Sequence, residues 1–68
     1  MFRVRVTLDR KQIGFLRFLL EGYEGLATTT TIDRQASIVE LQVLTERAPE
    51  LWSLLTTLRQ QLGISGID

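Results

Sequence analysis

Phe2-Arg3-Val4-Arg5-Val6-Thr7-Leu8-Asp9, followed directly by Arg10-Lys11-Gln12-Ile13-Gly14-Phe15-Leu16-Arg17-Phe18-Leu19-Leu20-Glu21-Gly22, is the stretch that decides the architecture. Its first half alternates apolar Phe2, Val4, Val6 and Leu8 with polar Arg3, Arg5 and Thr7. That period of two belongs to a strand with one buried and one wet face. Asp9 then meets Gln12 three residues on, a variant of the capping box, so a helix is expected from about Arg10. On a 3.6-residue period Ile13, Leu16, Leu19 and Leu20 share a stripe that must face a core, opposite Arg10, Arg17 and Glu21. Phe15 lies at the margin of that stripe and Phe18 well outside it, so the helix carries more aromatic surface than one sheet contact requires.

Working outward from the helix, Gly22-Tyr23-Glu24-Gly25 reads as a short loop, with Gly22 the expected C-cap and both glycines able to take positive φ. The β-branched run Thr28 to Thr31 then favours a second strand from Leu26 to Ile32, with those two residues in phase on one face. Its low hydrophobicity places it at a sheet edge. Asp33 to Ala36 is short enough for a hairpin, and Val39, Leu41 and Val43 alternate with Glu40 and Gln42 in a third strand. Pro49 suits a first helical position, and Leu51, Leu54, Leu55, Leu58 and Leu62 form the stripe of a second helix that Gly63 ends. Ile64 to Ile67 is expected as a short fourth strand. The order is therefore β-α-β-β-α with a last β over residues 1–68, a single α+β domain. The right-handed crossover rule folds it into an antiparallel sheet with both helices on one face, the ferredoxin-like architecture. Arg3, Arg5, Thr7, Glu40 and Gln42 then occupy the open face, where Glu40 can pair with the arginines if the first and third strands are neighbours.

A chain of 68 residues buries only about 60% of the surface its unfolded form exposes, so its stability margin is thin. Small scaffolds widen that margin with disulfides, a structural metal or a partner subunit. Neither Cys nor His is present, which removes disulfides and the usual ligands of zinc and other transition metals. Self-association remains. Eight basic residues balance eight acidic ones, so no global field draws the chain to nucleic acid or to an anionic membrane. The apolar runs are only a few residues long and the N-terminus lacks a signal-peptide hydrophobic region, which reads as a cytoplasmic chain.

Catalytic candidates are few. Without His or Cys, a nucleophile activated by imidazole or a reactive thiol is excluded, and Lys11, the only lysine, sits at an exposed helix start. Acylphosphatases of this fold need an Arg loop together with an Asn, and the chain has no Asn; heavy-metal carriers need paired cysteines. Glu21 and Glu24 flank the glycine loop as a carboxylate pair, but the plainer reading is two solvated charges at a helix end, where they oppose the macrodipole. RNA-recognition domains stack bases on aromatics of the open sheet face, and the outward positions here hold none. No catalytic residue, cofactor or metal is expected. The residues left as candidates are Gly22, Tyr23 and Gly25 in a ligand-facing loop, and Phe15, Phe18 and Trp52, apolar groups that a small core does not need, as the oligomer interface.

The run from Ile13 through Gly22-Tyr23-Glu24-Gly25-Leu26-Ala27, continuing through the threonines to Ile32-Asp33, resembles a family of short bacterial proteins classed only as a domain of unknown function. The resemblance extends more loosely across nearly the whole chain, through the Val39-Leu41-Val43 strand and the leucine helix. It implies a family and no activity. In architecture the chain also resembles an ACT domain, a regulatory module that pairs sheets or helices between subunits and often binds amino acids at the interface. Gly25-Leu26-Ala27-Thr28 stands where such domains begin their second strand. The ligand loop departs from that pattern, because Gln12 occupies the place of the usual Gly and Gly14 falls inside the helix. The expectation is a non-enzymatic ACT-like domain that forms a homodimer or higher homo-oligomer and serves as a regulatory, assembly or small-ligand-binding module. The alternative is a nucleic-acid or phosphate-ligand binder using Arg3, Arg5 and Arg34.

Overall fold

The computed structural model describes residues 1–67, and its elements are β1 (Phe2–Thr7), α1 (Ile13–Gly22), β2 (Ala27–Asp33), β3 (Ile38–Val43), α2 (Ala48–Leu58) and β4 (Gly66–Ile67). One 3-10 turn, Arg10–Gln12, leads into α1 and another, Thr45–Arg47, leads into α2. The four strands form one antiparallel sheet in the order β2-β3-β1-β4. Among the described residues no helix is long and apolar enough to cross a membrane.

The alternation of β1 does what its period requires. Val4, Val6 and Leu8 are buried, together with Val39, Leu41 and Val43 of β3, which lie opposite in a register that pairs Val4 with Leu41 and Val6 with Val39. Leu16 and Leu20 of α1 and Leu51 and Leu55 of α2 close over this face, so both helices cover one side of the sheet. The core is entirely apolar, and no buried side-chain polar atom among the described residues lacks a partner. Arg5 pairs in register with Glu40 on the opposite face, Nε to Oε2 at 3.5 Å, and Arg3 lies opposite Gln42. Arg5 is exposed and Glu40 partly covered, and a pair reaching solvent in this way contributes about 0–1 kcal/mol, so it is ordinary cross-strand polarity.

Five local expectations are corrected. The helix predicted from Arg10 begins as a 3-10 turn: the Asp9 carboxylate accepts the Lys11 N–H at 3.0 Å, and α-helical bonding starts only at Ile13. No reciprocal bond from Gln12 to Asp9 closes a capping box; the Gln12 backbone N–H donates instead to the Asp9 carbonyl. Phe2 shares the phase of Val4 yet is exposed, because it opens the strand beyond the cover of either helix. In β2 the inward set is Ala27, Thr29 and Thr31, which pair with Val43, Leu41 and Val39, and not Leu26 with Ile32. Leu26 is buried just before the strand, while a bulge between Thr31 and Asp33 breaks the two-residue period and leaves Ile32 exposed. Finally, α2 ends at Leu58, although Leu62 stays buried in the turn that follows. The chain reverses there through Gly63 at φ +64°, and the Asp9 N–H donates to the Leu62 carbonyl at 3.3 Å. That bond stitches the end of α2 to the end of β1. The Ser65 N–H then donates to the Thr7 carbonyl at 2.8 Å and starts β4 along β1.

Candidate functional site

Tyr23 and Glu24 form the turn between α1 and β2, and the structure separates the two glycines that flank it. Gly22 is the last residue of α1 and does not take positive φ; the left-handed pair is Glu24 at 56° and Gly25 at 65°. The expected C-cap at Gly22 is thus replaced by a tandem two residues later. The amides of Tyr23, Gly25 and Leu26 turn back onto the carbonyls of Leu19, Glu21 and Leu20 at 3.1–3.2 Å. With those N–H groups spent on α1, the loop does not offer them to an anion.

What holds this turn is a residue that sequence reasoning missed. Arg47, at the end of the 3-10 turn before α2, donates through its guanidinium to the Tyr23 carbonyl at 3.3 Å and the Glu24 carbonyl at 3.4 Å. The same group forms a two-pronged pair with the Glu50 carboxylate at 3.2 and 3.1 Å. Its hydrogen bond to Glu50 lifts the Arg47 pKa above its already high value, outweighing the opposing effect of desolvation, and the charges of Glu50 and Glu24 add to the rise. The planar fork of arginine suits this double duty, since one edge meets a carboxylate while the rest reaches backbone oxygens. The local signal was the Arg47-x-x-Glu50 spacing, which spans Pro49. Nothing in that spacing points to a loop more than twenty residues earlier.

Tyr23 is 47% exposed, and its side chain makes no hydrogen bond among the described residues. Glu21 and Glu24 are both exposed. Among the described residues no three His, Cys, Asp or Glu side chains gather as a metal site would require.

The three aromatics singled out from the sequence do not form one patch. Phe18 is 71% exposed and Phe15 46%, both on α1, and Phe18 stands about 200° round from Leu16 at the pole away from the core. Trp52, 47% exposed, lines an open groove of about 630 Å³ with Pro49, Thr56, Arg59 and Ile67 on the β4 side of α2. Because α1 packs over β2 and the groove adjoins β4, the two apolar sites sit toward opposite edges of the sheet. The three arginines of the alternative reading are likewise divided. Arg3 and Arg5 are on the open face, Arg5 paired with Glu40, whereas Arg34 lines a separate groove with Arg10, Ile13 and Thr31 on the helix side.

No curated protein and no solved structure matches this chain. A family model does: residues 6–62, from near the end of β1 to the turn after α2, match the one described as Domain of unknown function (DUF4911). That span takes in α1 with its exposed phenylalanines, the Arg47 clamp and the whole leucine stripe, so the chain belongs to the DUF4911 family.

Proposed function

We propose that this chain is a non-enzymatic, ACT-like small domain whose work is self-association, as an assembly or regulatory module with room for a small ligand at the subunit interface. The strand order β2-β3-β1-β4, with α1 joining β1 to β2 and α2 joining β3 to β4, supports the ferredoxin-like comparison. The observation that carries the proposal is Phe18. A phenylalanine 71% exposed at the middle of a helix, on a domain whose core already closes over Leu16 and Leu20, is apolar area that the folded monomer does not use. Burying such area yields about 25 cal/mol per Å², and a domain of this size has little stability to spare.

The test is sedimentation equilibrium from low to high micromolar concentration. The wild-type chain is expected to be a dimer or larger at the upper end, with Phe18→Glu monomeric throughout. A well-folded wild-type monomer at several hundred micromolar overturns the proposal. The arginine-based alternative gains no support from the geometry, since Arg34 lies apart from Arg3 and Arg5.

A further inference from the structure

The outward face of α1 is organised by shape and by charge. Around Phe18 lie Gly14, one turn earlier, and Gly22, one turn later, both exposed. A Cβ built on Gly14 or Gly22 meets nothing within 4 Å, and neither takes a positive φ, so neither glycine is explained by packing or turning inside the monomer. The charges are also placed against the helix that carries them. Arg10 and Lys11, in the 3-10 turn that leads into α1, stand just before its positive N-terminal end, and Glu21, with Glu24 just beyond, stands at its negative end. Each is mildly unfavourable with the macrodipole of α1 itself. Among the described residues neither Lys11 nor Glu21 has an ionic partner.

We infer that this face receives a second copy of the same chain, its α1 lying antiparallel across the first. The inference rests on the self-association proposed above and gives it a geometry. A twofold axis at the level of Leu16 sets each Phe18 over the partner subunit's Gly14, a ring entering the hollow that a missing side chain leaves. The same axis brings Lys11 level with the partner subunit's Glu21, because each lies five residues from Leu16 on opposite sides. One register thus satisfies both the shape and the charges, as an isologous interface must. An antiparallel neighbour also presents its dipole reversed, so charges misplaced on their own helix become favourable on the pair. The helix is 10 residues, about 15 Å, so the contact is small.

Sedimentation equilibrium on four variants tests this geometry. Gly14→Leu fills the hollow without touching the monomer core; it is expected to raise the dimer dissociation constant at least tenfold while the dilute monomer melts no lower than wild type. Glu21→Lys is expected to weaken the dimer by a similar factor at low salt, and Lys11→Glu combined with Glu21→Lys to restore it to within threefold. Trp52→Glu is expected to leave the dimer unchanged. If the wild-type chain dimerises and neither Gly14→Leu nor Glu21→Lys weakens it, the antiparallel α1 pairing is wrong and self-association stands on another surface. Dissociation by Trp52→Glu alone would locate that surface on α2 and overturn the inference in the same way. A wild-type chain that is monomeric at every concentration removes the proposed function itself.

Discussion

Alanine placed at Gly22, Gly25 and Gly63 in turn is one chemical change with three different consequences in this fold. At Gly22 the backbone is helical and a Cβ meets nothing within 4 Å, so alanine only improves helix propensity at a terminal residue and is worth about +0.5 kcal/mol. At Gly25, φ is +65° and space is open; the left-handed backbone costs an L-residue about 1–2 kcal/mol, and the stiffer unfolded chain returns about 0.4–1. The net is a loss of about 1 kcal/mol. Gly63, at +64°, carries the same backbone cost and adds a contact, because its Cβ would stand 3.1 Å from the Asp9 Cβ. Asp9 cannot recede easily: its carboxylate holds the Lys11 N–H and its own N–H holds the Leu62 carbonyl. Overpacking of this kind costs about 1 kcal/mol or more, which brings Gly63→Ala to a loss of about 2 kcal/mol. For a domain of this length each kcal/mol moves the melting midpoint by about 4–8 °C. Thermal unfolding followed by far-UV circular dichroism, at one fixed protein concentration, should therefore rank Gly22→Ala above wild type, then Gly25→Ala, then Gly63→Ala. A Gly63→Ala variant that melts with or above wild type refutes the reasoning, as does a Gly22→Ala variant that falls below Gly25→Ala.

Two further expectations concern the turn after α1. Arg47→Ala removes both the Glu50 pair and the two bonds to the Tyr23 and Glu24 carbonyls; it should lower the midpoint by less than Gly63→Ala does and speed hydrogen exchange at the Gly25 and Leu26 amides, whereas unchanged exchange there would mean that the clamp does not hold the turn. Tyr23→Phe should leave the midpoint within about 0.5 kcal/mol of wild type, since the hydroxyl bonds to nothing among the described residues; a larger loss in urea denaturation would reveal a structural role for it.

How far the chain could be read in advance depends on how far each property reaches along it. The alternation of Val4, Val6 and Leu8 and the spacing of Leu16, Leu20, Leu51 and Leu55 are periodic patterns, and a period is a local quantity that burial on one face imposes directly. The antiparallel α+β arrangement followed from those periods and their order. The edge position of β2 was legible for the same reason, because a run of four threonines carries too little apolar area for the centre of the layer that the helices cover. Its phase was not legible, since a bulge between Thr31 and Asp33 arises from pairing with β3 and leaves no mark in the strand's own residues.

The candidate site divides along the same line. That Phe15, Phe18 and Trp52 exceed the needs of a small core could be counted on a helical wheel. That the phenylalanines and the tryptophan lie toward opposite sides of the helical layer depends on which strands each helix connects. Gly22 and Gly25 were indistinguishable as letters. Which of them must be left-handed was decided where α1 stops, at a turn that buried Leu20 and Leu26 flank and that the pairing of β2 with β3 brings within reach of Arg47. Composition and period, being properties of neighbours in sequence, determined the elements and excluded the chemistry of thiols and imidazoles; the tertiary structure alone decided which distant groups meet, because a guanidinium can find its carbonyls only after the sheet between them has formed.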